Sequence, residues 1–366
     1  MVLKNICLKH KKKIFVCPLD WGLGHATRCV PLIRKLLEND VEVIIGADKY
    51  PLAFLKQEFP NLQFIPLPGY EISYPQSGNM AFKILFSIPN LISKIIEEHK
   101  LLKEIIFKYN IDGVISDNRY GLFSKYVKTV FITHQIRIKS PVFENLLYKL
   151  NTYFIKKFTY CWVPDFKGAI NLSGELSHGK NLPENTSYIG PLSRFETNNI
   201  TTVNENEFDL LFLISGPEPQ RSIFEQIVFD QLKKTNLKAV IILGKPSENN
   251  HFKIGDSHVF SHLQTQALAE IISKSKFVIS RSGYSTIMDM AVFGKKCIFV
   301  PTPGQTEQVY LADYFHNRGN AFSMPQSDFD LLSALKYAEN IEPFKFETDD
   351  LLLDQQIKIF LSDLDK

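Results

Sequence analysis

Short runs rich in Val, Ile and Phe alternate along this chain with longer stretches in which apolar residues recur every three or four positions. The first pattern predicts buried strands and the second amphipathic helices. In the first half the strand-like runs fall at residues 13–18, 41–45, 63–66, 113–116, 129–133 and 160–163; in the second half they fall at 209–214, 239–243, 258–260, 277–280 and 296–300. Strands and helices taking turns predict parallel sheets covered by helices, not a sandwich or a bundle. The expected class is α/β, built as two doubly wound, Rossmann-like units.

Gly190-Pro191-Leu192-Ser193-Arg194 leads into a polar, Asn/Thr-rich stretch that ends near Glu207 and has no periodicity, the mark of a linker. It divides the chain into a unit at 1–192, a linker at 193–207 and a unit at 208–344, with a last helical segment at 351–364 that no strand follows. Residues 81–109 alternate apolar residues with lysine at helical spacing and are interrupted at Pro89. Two readings fit them. One is a helix pair packed on the sheet; the other is an amphipathic surface touching anionic membrane, with Lys83, Lys94, Lys100 and Lys103 near the headgroups.

With 366 residues the chain is long enough for two cores, and 45% hydrophobic with 22% charged residues is a globular composition. No apolar run approaches the roughly 20 residues of a membrane span. The basic N-terminus leads into the first strand without a signal-peptide pattern, so the expected location is cytoplasmic, with peripheral contact at the inner face of the plasma membrane as the variant. Cys7, Cys17, Cys29, Cys161 and Cys297 are scattered without zinc-ligand spacing. The formal charge of +3 hides an asymmetry: residues 1–200 carry 26 Lys+Arg against 17 Asp+Glu, and the rest are net acidic. Two readings fit: the basic half meets anionic material, an acceptor or a membrane surface, or the asymmetry is surface variation without a role; nothing in the chain suggests nucleic acid.

The first strand runs into Trp21-Gly22-Leu23-Gly24-His25-Ala26-Thr27-Arg28. Gly22 and Gly24 at a strand-to-helix turn let the backbone approach a ligand and aim free helix N–H groups at it. A dinucleotide site would want a third glycine where Thr27 stands, although Asp48 does follow the second strand. His25 at a helix start tends to be neutral, and a neutral imidazole can accept a proton. Asp117 ends the fourth strand-like run and is a second candidate base or the group that orients His25. His134, at the end of the next strand, stands with Arg28 on the same edge, either in the acceptor wall or in a structural role.

In the second half, Ser215-Gly216-Pro217 opens a turn into a helix, with Arg221 adding charge; its N–H groups can cradle phosphate oxygens. Ser280-Arg281-Ser282-Gly283-Tyr284-Ser285-Thr286 is the strongest signal: hydroxyl and N–H donors at a helix start suit a diphosphate. Asp289, one turn beyond Thr286, is placed to accept from ribose hydroxyls. Gln305, Glu307 and Gln308 begin a further helix and offer amide and carboxylate groups to sugar hydroxyls. Asp328-Phe329-Asp330 and Asp363-Leu364-Asp365 match the Asp-x-Asp metal pattern but sit at helix ends, where solvated or capping carboxylates are common.

These motifs resemble family 28 glycosyltransferases, a group that includes the N-acetylglucosaminyltransferase of the peptidoglycan precursor. The likeness runs through Gly22-Leu23-Gly24-His25, then Arg281-Ser282-Gly283 with Thr286 and Asp289, then the proline-rich turn before Glu307-Gln308. It implies a GT-B fold, two Rossmann-like domains facing a cleft, with the last helix crossing back to the first domain. It also implies a UDP-sugar donor held by the second half, with the nucleobase near Leu263, ribose at Asp289, where the family has Glu, and an N-acetylhexosamine near Glu307 and Gln308. The chemistry implied is an inverting transfer without metal or cofactor, to an acceptor that is lipid-linked or belongs to a cell-envelope glycan. The longer Gly-x-Gly-His-x-x-Arg pattern also resembles a nucleotide-sugar hydrolase of the same superfamily. Hydrolysis, non-hydrolysing epimerisation and silent nucleotide-sugar binding therefore stand beside transfer, and the base is His25 or Asp117.

Overall fold

The structure, a computed structural model, describes residues 11–69, 80–140, 142–195, 206–345 and 350–365. Its first sheet contains β1 (Lys13–Pro18), β2 (Glu42–Ala47), β3 (Gln63–Pro66), β4 (Gly113–Asp117), β5 (Lys128–Ile132), β6 (Tyr160–Val163) and β7 (Thr186–Tyr188). They lie in the order β3-β2-β1-β4-β5-β6-β7, all parallel. The second sheet has β8 (Phe208–Leu213), β9 (Ala239–Ile242), β10 (His251–Ile254), β11 (Ser257–Phe260), β12 (Ser275–Ser280), β13 (Lys296–Phe299) and β14 (Ala321–Ser323). Its order is β10-β11-β9-β8-β12-β13-β14, with only β10 antiparallel. Three strands absent from the apolar pattern, β7, β10 and β14, are edge strands. An edge strand is covered less completely and needs no continuous apolar run.

The helices used below are α1 (Gly24–Glu38), α2 (Lys49–Glu58), α3 (Met80–Tyr109), α4 (Glu144–Ile155), α5 (Gln220–Leu232), α6 (Thr265–Lys274), α7 (Tyr284–Phe293), α8 (Thr306–Asn317), α9 (Leu331–Ala338) and α10 (Asp350–Asp363). α3 runs through Pro89 without ending there. A proline inside a helix removes one hydrogen bond, and the turns on either side carry the rest. From residue 89 onward α3 buries Leu102, Ile105 and Ile106 against the sheet and Ile95 against Leu19, and leaves Ile92, Ile96 and Phe107 exposed. The side chains of residues 80–88, with Lys83 and the first apolar positions of that segment, lie outside the described residues. Among the described residues no helix is long and apolar enough to cross a membrane.

One apolar cluster runs from α1 and the first sheet into α7 of the second unit, joining Val30 and Ile33 to Ile287 and Met288. α10 returns to the first sheet: Phe360 meets Trp162 and Tyr160 edge-on at 6.0 and 6.2 Å, and a Cβ at Gly113 would lie 2.7 Å from the Phe360 ring. Gly113 is thus required for the helix to sit this close. The start of the linker is also seated, since Ser193 and Phe195 are buried and Phe195 packs edge-on against Phe293 at 5.0 Å. Residues 196–205 of the linker lie outside the described residues. The two Asp-x-Asp matches are structural: Asp330 caps α9 by accepting from the Ser333 N–H at 2.9 Å, and Asp363 accepts from the Tyr160 hydroxyl.

Candidate active site

In the first sheet the strand order reverses direction between β1 and β4, and open α/β sheets bind ligands beyond the strand ends at such a point. Pro18 pairs with Asp117, and Asp117 with Ile132, so three neighbouring strands deliver the 19–23 loop, Asp117 and Thr133-His134 to one edge. Gly22 takes φ of 75°, a left-handed turn that a side chain would strain, and α1 starts two residues later. His25 therefore lies in the first turn of α1 and Arg28 one turn on, both on the face that meets Asp117.

Asp117 is 1% exposed, and a carboxylate that deep must be paired to stay ionised. Arg28 pairs it at both oxygens: Nε donates to Oδ2 at 2.7 Å and Nη2 to Oδ1. Burial pushes the Asp117 carboxyl up, but the Arg28 charge and then His25 outweigh it and bring it down to about 2. His25 Nδ1 lies 3.2 Å from Asp117 Oδ2 and 2.9 Å from Arg28 Nη2. A neutral imidazole nitrogen serves one of these contacts at a time. Accepting from Arg28 puts the His25 proton on Nε2, whereas donation of Nδ1–H to Asp117 is the tautomer that leaves Nε2 basic. Arg28 Nη1 also donates to His134 Nδ1 at 3.1 Å. Burial lowers the His134 pKa despite Glu307, which favours the neutral ring; with Nδ1 accepting from Arg28, the proton of that ring is on Nε2.

The second sheet has the same kind of reversal at β8 and β12. The loops after β8, β12 and β13 hold Ser215-Gly216, Arg281-Ser282-Gly283 and the turn before Gln305. Ser215 and Gly216 are exposed, and Gly216 has φ of 111°. A Cβ at Gly283, the residue before α7, would meet nothing within 4 Å, so space is open in front of that helix. The two switch points face each other. Ser285 Oγ donates to the Gly24 carbonyl at 2.8 Å, bringing the starts of α7 and α1 together, and two helix N-termini converging on one cleft favour an anion between them. Glu307, in the first turn of α8, accepts from His134 Nε2 at 2.6 Å. Tyr284 stacks on the His134 ring at 4.0 Å and 1°, and its hydroxyl donates to the Pro164 carbonyl at 2.8 Å.

Residues 211–350, which contain the loops after β8, β12 and β13, match the Glycosyltransferase family 28 C-terminal domain. The C-terminal half is a family 28 glycosyltransferase domain. The protein is thus a glycosyltransferase with a GT-B fold. It is 24% identical over 313 residues, 81% of each chain, to a Methanosarcina acetivorans protein named uncharacterized glycosyltransferase. It is 27% identical over 269 residues, 72% of this chain and 69% of the other, to the UDP-N-acetylglucosamine--N-acetylmuramyl-(pentapeptide) pyrophosphoryl-undecaprenol N-acetylglucosamine transferase of Prochlorococcus marinus. Among solved structures it superposes on MurG of Acinetobacter baumannii with a TM-score of 0.52 at 12% identity, over 97% of this chain and 99% of that one, a likeness that shows the fold.

Within the family 28 domain, several expected ligand-binding side chains point inward. Arg281 is 1% exposed, and all its donors are engaged: Nη1 with the Val300 and Pro301 carbonyls at 2.9 and 3.3 Å, Nη2 with the Gln220 carbonyl at 3.0 Å and Gln326 Oε1 at 2.6 Å, and Nε with the Ser215 carbonyl at 3.4 Å. It braces the loops after β8 and β13 instead of presenting charge to the cleft. Arg221 is held by Glu218 and by Glu225, the latter at 2.8 Å, and donates to the Leu243 carbonyl at 3.3 Å. A buried guanidinium must have its donors satisfied, and loop carbonyls are the partners at hand. Ser282 Oγ donates to the Gln308 carbonyl at 2.7 Å, and the Gln308 side chain accepts from the Thr302 N–H at 2.8 Å and donates to Gln305 Oε1 at 2.5 Å. Gln308 therefore shapes the turn. Asp289 accepts from Ser193 Oγ at 2.7 Å and lies 3.7 Å from Arg194 Nε, so the linker occupies the carboxylate expected to meet ribose. Aspartate is one methylene shorter than the family's glutamate.

Ser215, Gly216, Gly283, Thr286 and Glu307 remain at the cleft with exposed or partly exposed surface. Leu263 is partly buried against the shared apolar cluster, next to His262, which meets Phe54 of α2 edge-on at 6.5 Å. Tyr284, Ser193 and Arg194 are the contributors that residue-by-residue reading passed over. Tyr284 was legible as the aromatic inside the Arg-Ser-Gly turn; the two linker residues carried no signal of their own.

Proposed function

We propose that this protein is an inverting glycosyltransferase that moves a sugar from a UDP-sugar to an acceptor hydroxyl, with His25 as the base. The observation that carries the reading is the contact of His25 Nδ1 with Asp117 at 3.2 Å, at a cleft onto which the α7 N-terminus opens. In the tautomer with Nδ1–H toward Asp117, His25 Nε2 takes the acceptor proton as the oxygen attacks the anomeric carbon and the nucleoside diphosphate leaves. Asp117, held ionised near pKa 2 by Arg28, steadies the imidazolium that forms and does not itself take the proton. The leaving diphosphate is stabilised by backbone N–H groups at the starts of α5 and α7, with Ser215, Gly216, Gly283 and Thr286 around it, and the mechanism is drawn without metal. A lipid-linked or cell-envelope glycan is the acceptor class favoured by the name of the Prochlorococcus marinus relative. Action at the cytoplasmic side of the membrane follows from such an acceptor.

A second reading, nucleotide-sugar hydrolysis, is favoured by one feature. Arg28 of the Gly-x-Gly-His-x-x-Arg pattern reaches the same His25 nitrogen at 2.9 Å. Incubating the purified protein with radiolabelled UDP-sugars, with and without membrane lipid extract, separates the two. Label passing to lipid indicates transfer; free sugar released without extract indicates hydrolysis. His25→Ala is expected to lower kcat by about 10³-fold with little change in donor KM. Full activity in that variant would sink the assignment of the base.

A further inference from the structure

We infer that His134, a residue of the first unit, belongs to the donor-sugar site as the positioning residue for Glu307, so that only the closed cleft recognises the sugar. The inference rests on the donor reading above, in which Glu307 meets sugar hydroxyls. The sequence left His134 between the acceptor wall and a structural role; it is 6% exposed, with both ring nitrogens and one ring face engaged.

Three contacts hold the ring. Arg28 Nη1 lies 3.1 Å from Nδ1, and a guanidinium only donates, so Nδ1 is an acceptor and the proton of the neutral ring sits on Nε2. That Nε2–H points at Glu307 Oε1, 2.6 Å away. Tyr284 covers one face of the ring in parallel stacking at 4.0 Å, and is itself anchored through its hydroxyl to the Pro164 carbonyl. Arg28, finally, is fixed by Asp117. The chain from Asp117 through Arg28 and His134 to Glu307 has one proton arrangement, and it crosses from one unit to the other.

Glu307 is the end of that chain that stays accessible, with 31% of its side chain exposed. A glutamate in the first turn of a partly exposed helix would otherwise lose rotamer freedom on gripping a ligand. With Oε1 tied to His134, the carboxylate is already oriented, and its remaining acceptor capacity is aimed at a hydroxyl in one direction. Oriented acceptors of this kind reject a substrate that lacks the matching hydroxyl. Opening the cleft would part His134 from both Glu307 and Tyr284, and so would remove the sugar contact while leaving the α5 and α7 N-termini to hold the diphosphate. The sugar, not the nucleotide, is therefore the part of the donor that reports closure.

The test uses the full chain and calorimetric titration with UDP and with UDP-glucose, UDP-galactose and UDP-N-acetylglucosamine, taking the tightest of the three sugar nucleotides. His134→Ala is expected to weaken that sugar nucleotide about tenfold while UDP binding stays within about twofold, the loss of one oriented charge-assisted hydrogen bond. His134→Gln, whose amide can donate to Glu307, should recover most of the loss. It also serves if the alanine variant fails to fold. Glu307→Gln in the His134→Ala background should add little, since the two residues act as a unit. Equal weakening of UDP and sugar nucleotide, or no change in either, would overturn the inference. A wild-type protein that binds none of the three sugar nucleotides would instead overturn the donor reading on which it rests.

Discussion

Asp117 in the first half of the cleft and Asp289 in the second are both buried aspartates beside an arginine, and they titrate in opposite directions. Burial raises both. At Asp117, Arg28 binds both oxygens and His25 adds to it, and the carboxyl falls to about 2. At Asp289 the nearest guanidinium nitrogen stands 3.7 Å away, the Ser193 hydroxyl and the Arg194 backbone N–H supply uncharged hydrogen bonds, and burial keeps the carboxyl up at about 6. Arg194 is itself pushed down by burial, so neither member of that pair is well compensated. Proximity to an arginine does not set the charge of a buried carboxylate; the number and directness of its hydrogen bonds do. The first half of the cleft therefore holds fixed, paired charge at Asp117 and Arg28. The second half offers backbone N–H groups to a ligand and keeps its arginines for internal bracing.

The largest effect that sharpens this contrast is expected for Asp117→Asn. It leaves Arg28 buried without its counter-charge, which costs about 3–5 kcal/mol in urea unfolding, and it removes the orienting partner of His25. The wild-type contribution is present above the ordinary aspartate value of 3.8 and is lost as pH falls toward 2, so the variant should lack that acid limb. A variant as stable as wild type at pH 7 would break the comparison. Asp289→Asn should act with the opposite sign. A carboxyl raised to about 6 favours the fold below 3.8 and loses that contribution as pH rises through 6, a span worth about 3 kcal/mol. Wild-type stability should decline between those limits, and the asparagine variant should flatten the decline and match or exceed wild type at pH 7. A steeper decline in the variant would show that Asp289 is ionised and supported. The smallest effect belongs to Ser285→Ala, which deletes the hydrogen bond to the Gly24 carbonyl and should cost about 1 kcal/mol with a modest rise in donor KM.

Much of the fold was legible because apolar periodicity reports burial directly. The central strands, covered on both faces, stand out as continuous apolar runs; β7, β10 and β14 lie at edges and leave no such trace. The residues of the candidate site were legible as motifs because strand-to-helix turns need glycine and small residues whatever else they do. Their partners were not. The pattern Arg281-Ser282-Gly283 has the same letters whether the guanidinium faces a phosphate or the carbonyls of Val300 and Gln220, and only the packing of three loops around it decides.

The sequence by itself determined that two parallel α/β units exist, that their glycine-bearing turns lie at strand ends, and which side chains are present there to do chemistry. Those properties depend on neighbours within a few positions. Only the tertiary structure decided that Asp117 and Arg28, 89 residues apart, form one ion pair. It likewise decided that His134 and Glu307, 173 residues apart, form one hydrogen bond across the cleft and that Asp289 answers to the linker. Such pairings arise where strand order brings distant loops to one edge and where one unit closes on the other, and no local pattern encodes that meeting.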